Sequence, residues 1–158
     1  MKIELCFDGG CSPNPGQKYG SYEVMVDGDR KHTESRLALG HGTSNEAEFE
    51  ILIVALKRIA KYVERRCLDK KAVEIAMRTD SMILANRISG KNKKGLNALR
   101  NSLGQAFLGD IEEKISPKKE AERRMARLAQ ECLDILVHFG SYHIQWTSRD
   151  LNVSKFGH

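Results

Sequence analysis

The spacing of apolar residues changes along the chain, and this change constrains the fold more than any other feature. In the opening stretch KIELCFD, Ile3, Leu5 and Phe7 alternate with other residues, which is the two-residue period of a strand. From Thr43 to Arg66 the apolar residues recur every three and four positions, which is typical of a long helix with one apolar face. A strand and a long amphipathic helix in one chain predict an α/β protein.

The remaining patterns extend this element order. The first strand is predicted to end at Asp8, and the stretch YGSYEVMVDGDRKHTESRLAL contains two strand-like runs around an Asp-Gly turn, which predicts a hairpin. The long helix is expected to begin at Ser44 or Asn45 as its N-cap. AVEIAMRTD predicts a fourth strand that ends at Asp80, SMILANRIS a short helix, SPKKEAERRMARLAQECLDILVHFG a second long helix, and YHIQWTS a fifth strand. We therefore expect a mixed sheet of five strands whose first three strands form a meander.

Size and composition predict one globular domain, residues 1–158, in the cytoplasm. Of the 158 residues, 41% are hydrophobic and 30% are charged, and no apolar run approaches the length needed to span a membrane. The four cysteines form no CxxC pair and have no histidine at metal-ligand spacing, so neither a zinc site nor a disulfide framework is expected. Cys6 and Cys132 are expected in the core.

The charge of the chain permits an anionic partner without requiring one. Lysine and arginine exceed the acids by 26 to 21, which gives a net charge of +5. The stretch from Ser81 to Gly109 carries five cations and no acid: Arg87, Lys91, Lys93, Lys94 and Arg100. A solvated surface and a track for phosphate groups account for this stretch equally well.

Acidic residues occur where the predicted elements begin and end. Asp8 and Asp80 each end an apolar strand, and Glu46, Glu48 and Glu50 fall in the first turns of the long helix. The edge of an open α/β sheet is where ligands usually bind, and clustered carboxylates persist there only with protons or cations such as Mg2+. A single acid is more commonly a surface residue, but a position directly after an apolar strand favours a site for both aspartates.

Four motifs together resemble ribonuclease H. FDGGCSPNPG is similar to the first strand and loop of that family, TSNEAEFEIL to the start of its long helix, RTDS to its TDS strand end, and IQWTSRDLN to its final WxxRxxN segment. The motifs occur in the family's order from Lys2 to Asn152. The resemblance implies a ribonuclease H-like fold with three antiparallel strands followed by two parallel ones, helices on both faces, and an insertion at about residues 91–117.

The resemblance also implies the chemistry. In this family the counterparts of Asp8, Glu48 and Asp80 bind two Mg2+ ions, for which Mn2+ is expected to substitute, and the RNA strand of an RNA–DNA hybrid is cut to leave 5′-phosphate and 3′-hydroxyl ends. Glu48 matches the family's glutamate, whereas Glu46 and Glu50 are expected to be solvated.

Contacts to the hybrid are implied by the same motifs. Asn14 is a candidate for the 2′-hydroxyl that distinguishes RNA from DNA, although Pro, Asn and Gly also form plain turns. Ser44 and Asn45 resemble a pair that contacts the minor groove, a role compatible with capping the helix. The implied contact residues are Gly9, Gly10, Cys11, Asn14, Ser44, Asn45, Ser81, Lys91, Lys93 and Lys94.

The end of the chain departs from the family pattern. The family's fourth carboxylate lies four residues after the motif asparagine, where this chain has Phe156. His158 is a candidate replacement ligand, although a terminal histidine is more often frayed. Asp150 is expected to be a turn or capping residue, and Trp146 is expected in the core. The second metal is therefore expected to bind more weakly.

Three functions remain open at this stage. The leading one is an endoribonuclease that cuts RNA–DNA hybrids. The second is a ribonuclease H-like module that binds nucleic acid with weak or no cleavage, and the third is a nuclease of the same fold that acts on DNA. In each case we expect a monomer with no protein or membrane partner.

Overall fold

The computed structural model describes residues 1–89 and 117–156, which form five strands and four helices. The strands are β1 (Lys2–Cys11), β2 (Gly16–Val26), β3 (Asp29–Gly42), β4 (Glu74–Thr79) and β5 (Ser141–Trp146). The helices are α1 (Ser44–Arg65), α2 (Met82–Ser89), α3 (Pro117–Leu136) and α4 (Arg149–Phe156), and a short 3-10 turn covers Lys70–Ala72. The predicted insertion at about 91–117 lies almost wholly outside the described residues.

The strands form one mixed sheet in the order β3-β2-β1-β4-β5. The β1–β2 and β2–β3 pairs are antiparallel, whereas β1–β4 and β4–β5 are parallel, so the predicted arrangement is confirmed. Asp27 and Gly28 connect β2 to β3 with φ angles of 48° and 88°. Two central residues with positive φ match the right-handed twist of the flanking strands, which explains the Asp-Gly sequence.

The prediction that the first strand ends at Asp8 is wrong. β1 continues to Cys11 because its antiparallel pairing with β2 continues as far as Cys11 and Lys18. Its parallel pairing with β4, in contrast, stops at Cys6 and Arg78. Asp8 therefore lies in a strand that is paired on one side and open on the side of β4.

The hydrophobic core lies between one face of the sheet and helix α1. Ile3, Leu5 and Phe7 of β1 are fully buried there, as the alternation predicted. The apolar stripe of α1 packs into the same cluster, together with residues of α2 and α3. Full burial of one large apolar side chain stabilises a fold by about 1.5–3 kcal/mol, so this layer holds α1 firmly against β1.

The N-cap of helix α1 lies one residue before Ser44, the earlier of the two N-caps expected from the sequence. Thr43 is the N-cap, and its hydroxyl accepts a hydrogen bond of 3.3 Å from the backbone N–H of Glu46. The same hydroxyl lies 3.3 Å from the Glu46 carboxylate. This is the Thr-x-x-Glu pattern of a capping box, and it leaves Ser44 and Asn45 inside the first turn.

The segment after the fifth strand is a helix, not the expected turn. Helix α4 lies on the sheet face opposite α1, where the Lys155 Nζ donates to the Glu23 carboxylate at 2.8 Å and lies 3.7 Å from the Cys6 sulfur. The expected helices on both faces are thereby confirmed. Cys6 is only partly buried because it faces this thinner layer, whereas Cys132 is buried as expected.

Within residues 1–89 and 117–156, no helix is long and apolar enough to cross a membrane.

Candidate active site

Three carboxylates converge where the sheet opens beyond the β1–β4 pairing. Asp8 comes from β1, Glu48 from the second turn of α1, and Asp80 directly follows β4. One carboxylate oxygen of each lies within 4.8 Å of the others. The structure thus brings together the three acids that the sequence singled out.

Gly9 explains how β1 and the start of α1 come this close. A Cβ atom at Gly9 would lie 2.6 Å from the Ala47 carbonyl group and 2.7 Å from the Glu48 backbone nitrogen, which no real side chain tolerates. The backbone of β1 can therefore pass directly under the first turns of α1. The backbone N–H of Gly9 donates to the Glu48 carboxylate, and this bond places the Glu48 side chain beside Asp8.

The electrostatics of the cluster are unfavourable to three negative charges. Asp8 is 6% exposed and Glu48 is 8% exposed. Burial, followed by the charge of Asp80, raises the pKa of Asp8 to about 7. Burial and the charges of both aspartates raise the pKa of Glu48 further. The site therefore favours bound protons or cations over three bare carboxylates.

The donor set fits a hard divalent cation. All three side chains offer carboxylate oxygens, the ligands that Mg2+ prefers. Within the part of the chain that the structure describes, the buried Oε2 atom of Glu48 has no hydrogen-bond partner. A buried oxygen without a partner costs free energy, and a bound cation beside Asp8 and Asp80 would remove that cost.

The carboxylates lie in a cleft of about 380 Å³. Most of the predicted contact residues line it: Gly9, Gly10, Cys11, Ser44, Asn45 and Ser81. The Ser81 hydroxyl also accepts a hydrogen bond of 3.2 Å from the backbone N–H of Leu84, which starts α2. The roles of these residues in binding nucleic acid stay predictions.

Asn14 lies next to the cleft and does not line it. Its Oδ1 atom accepts hydrogen bonds from the Cys11 thiol at 3.2 Å and from the Ser44 backbone N–H at 3.3 Å. The Cys11 sulfur in turn lies 3.4 Å from the Ser44 hydroxyl. The loop after β1 is therefore attached to the start of α1 by polar contacts beside the carboxylates.

The cleft is also lined by two residues that the sequence analysis had not selected, Tyr19 and Arg149. Tyr19 pairs with Gly10 in the β1–β2 register, and a Cβ atom at Gly10 would lie 3.0 Å from its hydroxyl. Arg149 begins α4, and its positive charge lowers the pKa of Asp8 against the effects of burial and Asp80. The arginine of the WxxRxxN motif was the signal for Arg149, whereas no motif marked Tyr19.

The expectation that Glu46 and Glu50 are solvated is wrong. Both carboxylates pair with Lys18 of β2, whose Nζ lies 2.5 Å from Glu50 and 3.8 Å from Glu46. Lys18 is only 4% exposed. A buried cation requires carboxylate partners, and the two glutamates that flank Glu48 provide them.

Trp146 is not a core residue, contrary to expectation. Its side chain is 46% exposed because β5 is an edge strand, and its indole N–H donates to the backbone carbonyl of Asp80 at 3.0 Å. Lys91, Lys93, Lys94 and His158 lie outside the described residues, so their predicted contacts stay predictions.

Comparison with protein families by sequence found no family model that matches. The bifunctional protein Rv2228c of Mycobacterium tuberculosis is 33% identical over 94 residues, which is 59% of this chain and 24% of that protein. An uncharacterised protein of Mycobacterium bovis, Mb2253c, matches to the same extent. The chain thus spans about a quarter of the length of these curated relatives.

Solved structures match almost the whole chain. RNase H1 of Halobacterium salinarum has a TM-score of 0.66 at 20% identity and covers 96% of this chain and 89% of its own. The N-terminal RNase H domain of Rv2228c from Mycobacterium tuberculosis has a TM-score of 0.66 at 19% identity, with coverage of 97% and 92%. LC11-RNase H1 in complex with an RNA/DNA hybrid has a TM-score of 0.57 at 22% identity, with coverage of 96% and 89%. The chain therefore has the ribonuclease H fold that its four motifs indicated.

Proposed function

We propose that this chain is a metal-dependent endoribonuclease that cuts the RNA strand of RNA–DNA hybrids. The observation that carries the proposal is the convergence of Asp8, Glu48 and Asp80 within 4.8 Å in an open cleft. A protein that only binds nucleic acid gains nothing from three acids that repel both each other and phosphate groups. A nuclease uses them to hold cations at the scissile phosphate.

Asp8, Glu48 and Asp80 are proposed to hold two Mg2+ ions, for which Mn2+ would substitute. When bound, the cations would activate water and neutralise the charge that develops on the phosphate. Glu48 would contribute its unpartnered Oε2 atom. Arg149, which also lines the cleft, would hold a phosphate oxygen through its guanidinium donors. Hydrolysis would leave 5′-phosphate and 3′-hydroxyl ends.

The hybrid is the proposed substrate for two reasons. The start of α1 and the loop after β1 present hydroxyl, amide and backbone groups beside the carboxylates, as a protein that reads the 2′-hydroxyl of RNA requires. In addition, a structure of this fold is known in complex with an RNA/DNA hybrid. Gly9 and Gly10 line the cleft, so their backbone groups would contact the substrate.

The sequence at the end of α4 favours weaker binding of the second ion. Phe156 stands where the family pattern has its fourth carboxylate, so three acids would share two ions. We therefore expect a preference for Mn2+, which coordinates less strictly. Monomeric state and a location in the cytoplasm stay predictions.

The test is cleavage of a strand-labelled RNA–DNA hybrid in Mg2+ and, separately, in Mn2+. Asp80→Asn removes one proposed ligand, and Asp150→Asn is the matched control because Asp150 is an exposed aspartate of α4. We expect cleavage of the RNA strand only, abolished by the first substitution and retained with the second. Cleavage that survives in Asp80→Asn would contradict the proposed role of the carboxylates.

A second candidate is a module that binds the hybrid without cutting it, and the absence of an acid at Phe156 favours it. Tight binding of the hybrid with no cleavage in either metal would support that candidate. Parallel assays with duplex RNA and duplex DNA test the third possibility, a nuclease of this fold that acts on DNA.

A further inference from the structure

The second half of α1 carries a row of cations far from the cleft. Arg58, Lys61 and Arg65 are spaced three and four residues apart, so they share one face of the helix, and Arg66 follows at its C-cap. All four are exposed. We name these four residues the basic stripe.

Acids neutralise the basic stripe only in part. Lys61 contributes to the lowered pKa of Glu64, but that carboxylate forms its ion pair with Lys70. Among residues 1–89 and 117–156, no carboxylate lies within ion-pair distance of any of the four members of the stripe. The cations beside it differ: Lys57 lies 3.2 Å from Glu131, and Lys70 lies 2.8 Å from Glu64. Lys57, the other cation of α1, is therefore paired, whereas the face that carries the stripe keeps a net positive charge.

The surface around the stripe is a groove, not a flat helix face. Its four cations and Tyr62 line one cavity of about 260 Å³. An adjoining cavity of about 230 Å³ shares Arg58, Tyr62 and Arg66 with the first and adds Lys31 of β3 on the opposite side. The Arg66 guanidinium lies 5.1 Å from the centre of the Tyr62 ring, which holds it at the rim.

The floor of the second cavity is apolar, formed by Val24, Val26 and Ile59. His32 also lines this cavity, but its Nε2 atom lies 3.2 Å from the Glu34 carboxylate. The groove therefore combines a cationic rim on two elements with an aromatic wall and an apolar floor.

Helix stability alone does not account for the basic stripe. Cations in the last turn interact favourably with the helix dipole, which explains Arg65 and Arg66. Arg58 and Lys61 lie one to two turns earlier, where the dipole has little effect, and Lys31 belongs to a strand. Convergence of cations from two elements on one groove is the charge pattern that an anionic partner would match.

We propose that the basic stripe and Lys31 form a second binding surface for the sugar-phosphate backbone of a nucleic-acid duplex, separate from the cleft. The identity of the polymer rests on the proposed function. At 1.5 Å per residue, Arg58 and Arg65 lie about 15 and 25 Å along the helix axis from Glu48, so this surface holds a different stretch of backbone from the one that is cut. The axial distance from Arg58 to Arg65, about 10 Å, matches about three nucleotide steps of one strand.

The first test compares two variants with equal loss of charge. Arg58→Gln/Lys61→Gln/Arg65→Gln removes three cations from the stripe, and Lys2→Gln/Lys57→Gln/Arg127→Gln removes three exposed cations elsewhere. Binding of a 24-base-pair DNA duplex, chosen as about two helical turns, is measured by fluorescence anisotropy in EDTA between about 50 and 200 mM salt. We expect the first variant to reduce the slope of log affinity against log salt by about 2–3, and the second to reduce it by less than about 1. Equal slopes for the two variants would overturn the proposal.

The second test uses the unmodified protein, so it does not depend on the folding of a variant. Lys61 and Lys57 lie on the same helix and are both exposed, but only Lys61 belongs to the stripe. Acetylation of each lysine is measured by mass spectrometry with and without the duplex. Protection of Lys61 but not of Lys57 is expected, and equal acetylation of Lys61 in both conditions would contradict the proposal.

The two tests separate this inference from the proposed function. Hybrid cleavage with an unprotected Lys61 would overturn the second surface and leave the nuclease in place, and the groove would then be open to an acidic protein segment. Protection of Lys61 without cleavage of any hybrid would support the surface and overturn the nuclease.

Discussion

The indole N–H of Trp146 donates a hydrogen bond of 3.0 Å to the backbone carbonyl of Asp80. The N–H of the next residue, Thr147, donates to the carbonyl of Thr79, the residue before Asp80, at 2.8 Å. These two bonds attach the end of β5 to the end of β4, where the peptide chain leaves the sheet. Asp80 is therefore held by a neighbouring strand at the point where its side chain enters the cleft.

Trp146→Phe is expected to reduce hybrid cleavage about tenfold with little loss of stability. The substitution keeps a ring on the edge strand but removes the indole donor, and small displacements of catalytic groups have large effects on rate. Loss of one partly exposed hydrogen bond costs only about 1 kcal/mol of the free energy of unfolding. Tyr142→Phe, an exposed aromatic residue on the same strand, is the control. Equal cleavage rates for both variants would show that the indole bond does not position Asp80.

The metal-free protein is expected to lose stability as the pH rises. Asp8 has an ordinary pKa near 3.8 and a pKa of about 7 in the fold, and Glu48 is shifted in the same direction. Between these values the folded state binds more protons than the unfolded state, so the free energy of unfolding falls as the pH increases from about 4 to 7 and beyond. Thermal unfolding in EDTA at pH 5 to 9 measures this trend.

Glu48→Gln provides the matched variant for that experiment. It removes an acid that the metal-free fold must keep protonated at this pH, while a side-chain oxygen remains to accept from the Gly9 N–H. We expect it to increase the stability of the metal-free protein at pH 8 by about 1–2 kcal/mol, and Mg2+ to stabilise the unmodified protein but not this variant. A free energy of unfolding that rises with pH in EDTA would contradict the account of the cluster.

Lys18→Met is expected to destabilise the fold by about 3 kcal/mol. The substitution removes the buried cation that Glu46 and Glu50 both contact. Glu46 keeps the Arg124 guanidinium at 3.5 Å, whereas the partly buried charge of Glu50 is left uncompensated. Lys2→Met is the control, because Lys2 is half exposed and lies 3.7 Å from Glu4, a kind of surface pair that contributes little. Urea unfolding measures both. Similar changes for the two variants would show that Lys18 acts as an ordinary surface lysine.

The predictable features of this chain are those that depend on local spacing. Alternation in β1 and the apolar stripe of α1 predicted which faces are buried, and the order of elements predicted the sheet. The partners of Glu46 and Glu50 were not predictable in the same way, because Lys18 lies some thirty residues earlier and only the register of β2 brings it to them. Helix α4 was missed because it is short and its polar composition shows no apolar period.

In the candidate site, too, the predictable features are those that depend on local sequence. Asp8 and Asp80 were identified because each follows an apolar run, and Glu48 because of the motif around it. Trp146 was placed in the core because it lies in the last strand, but the strand order makes β5 an edge strand, and that order does not follow from the neighbours of Trp146 in sequence. Local sequence thus identified the three carboxylates, whereas the groups that hold them in place depend on tertiary contacts.

Arg149→Gln is expected to have opposite effects on metal and substrate binding. The guanidinium of Arg149 lowers the pKa of Asp8, which means that it interacts favourably with the carboxylate that a cation would use. Its removal should lower the Mg2+ concentration needed for half-maximal activity severalfold, because one competing positive charge is lost. The same change removes a charged donor from the cleft, so the KM for the hybrid should rise about tenfold, or about 1.4 kcal/mol.

Arg78→Gln is the control for this prediction, because Arg78 is an exposed arginine of β4 that lines a different cavity. Steady-state cleavage measured across a series of Mg2+ concentrations separates the two effects. If Arg149 only supported the fold of α4, the KM and the requirement for Mg2+ would increase together or not change at all. A lower Mg2+ requirement combined with a higher KM arises only if the arginine shares the cleft with both the carboxylates and the phosphate.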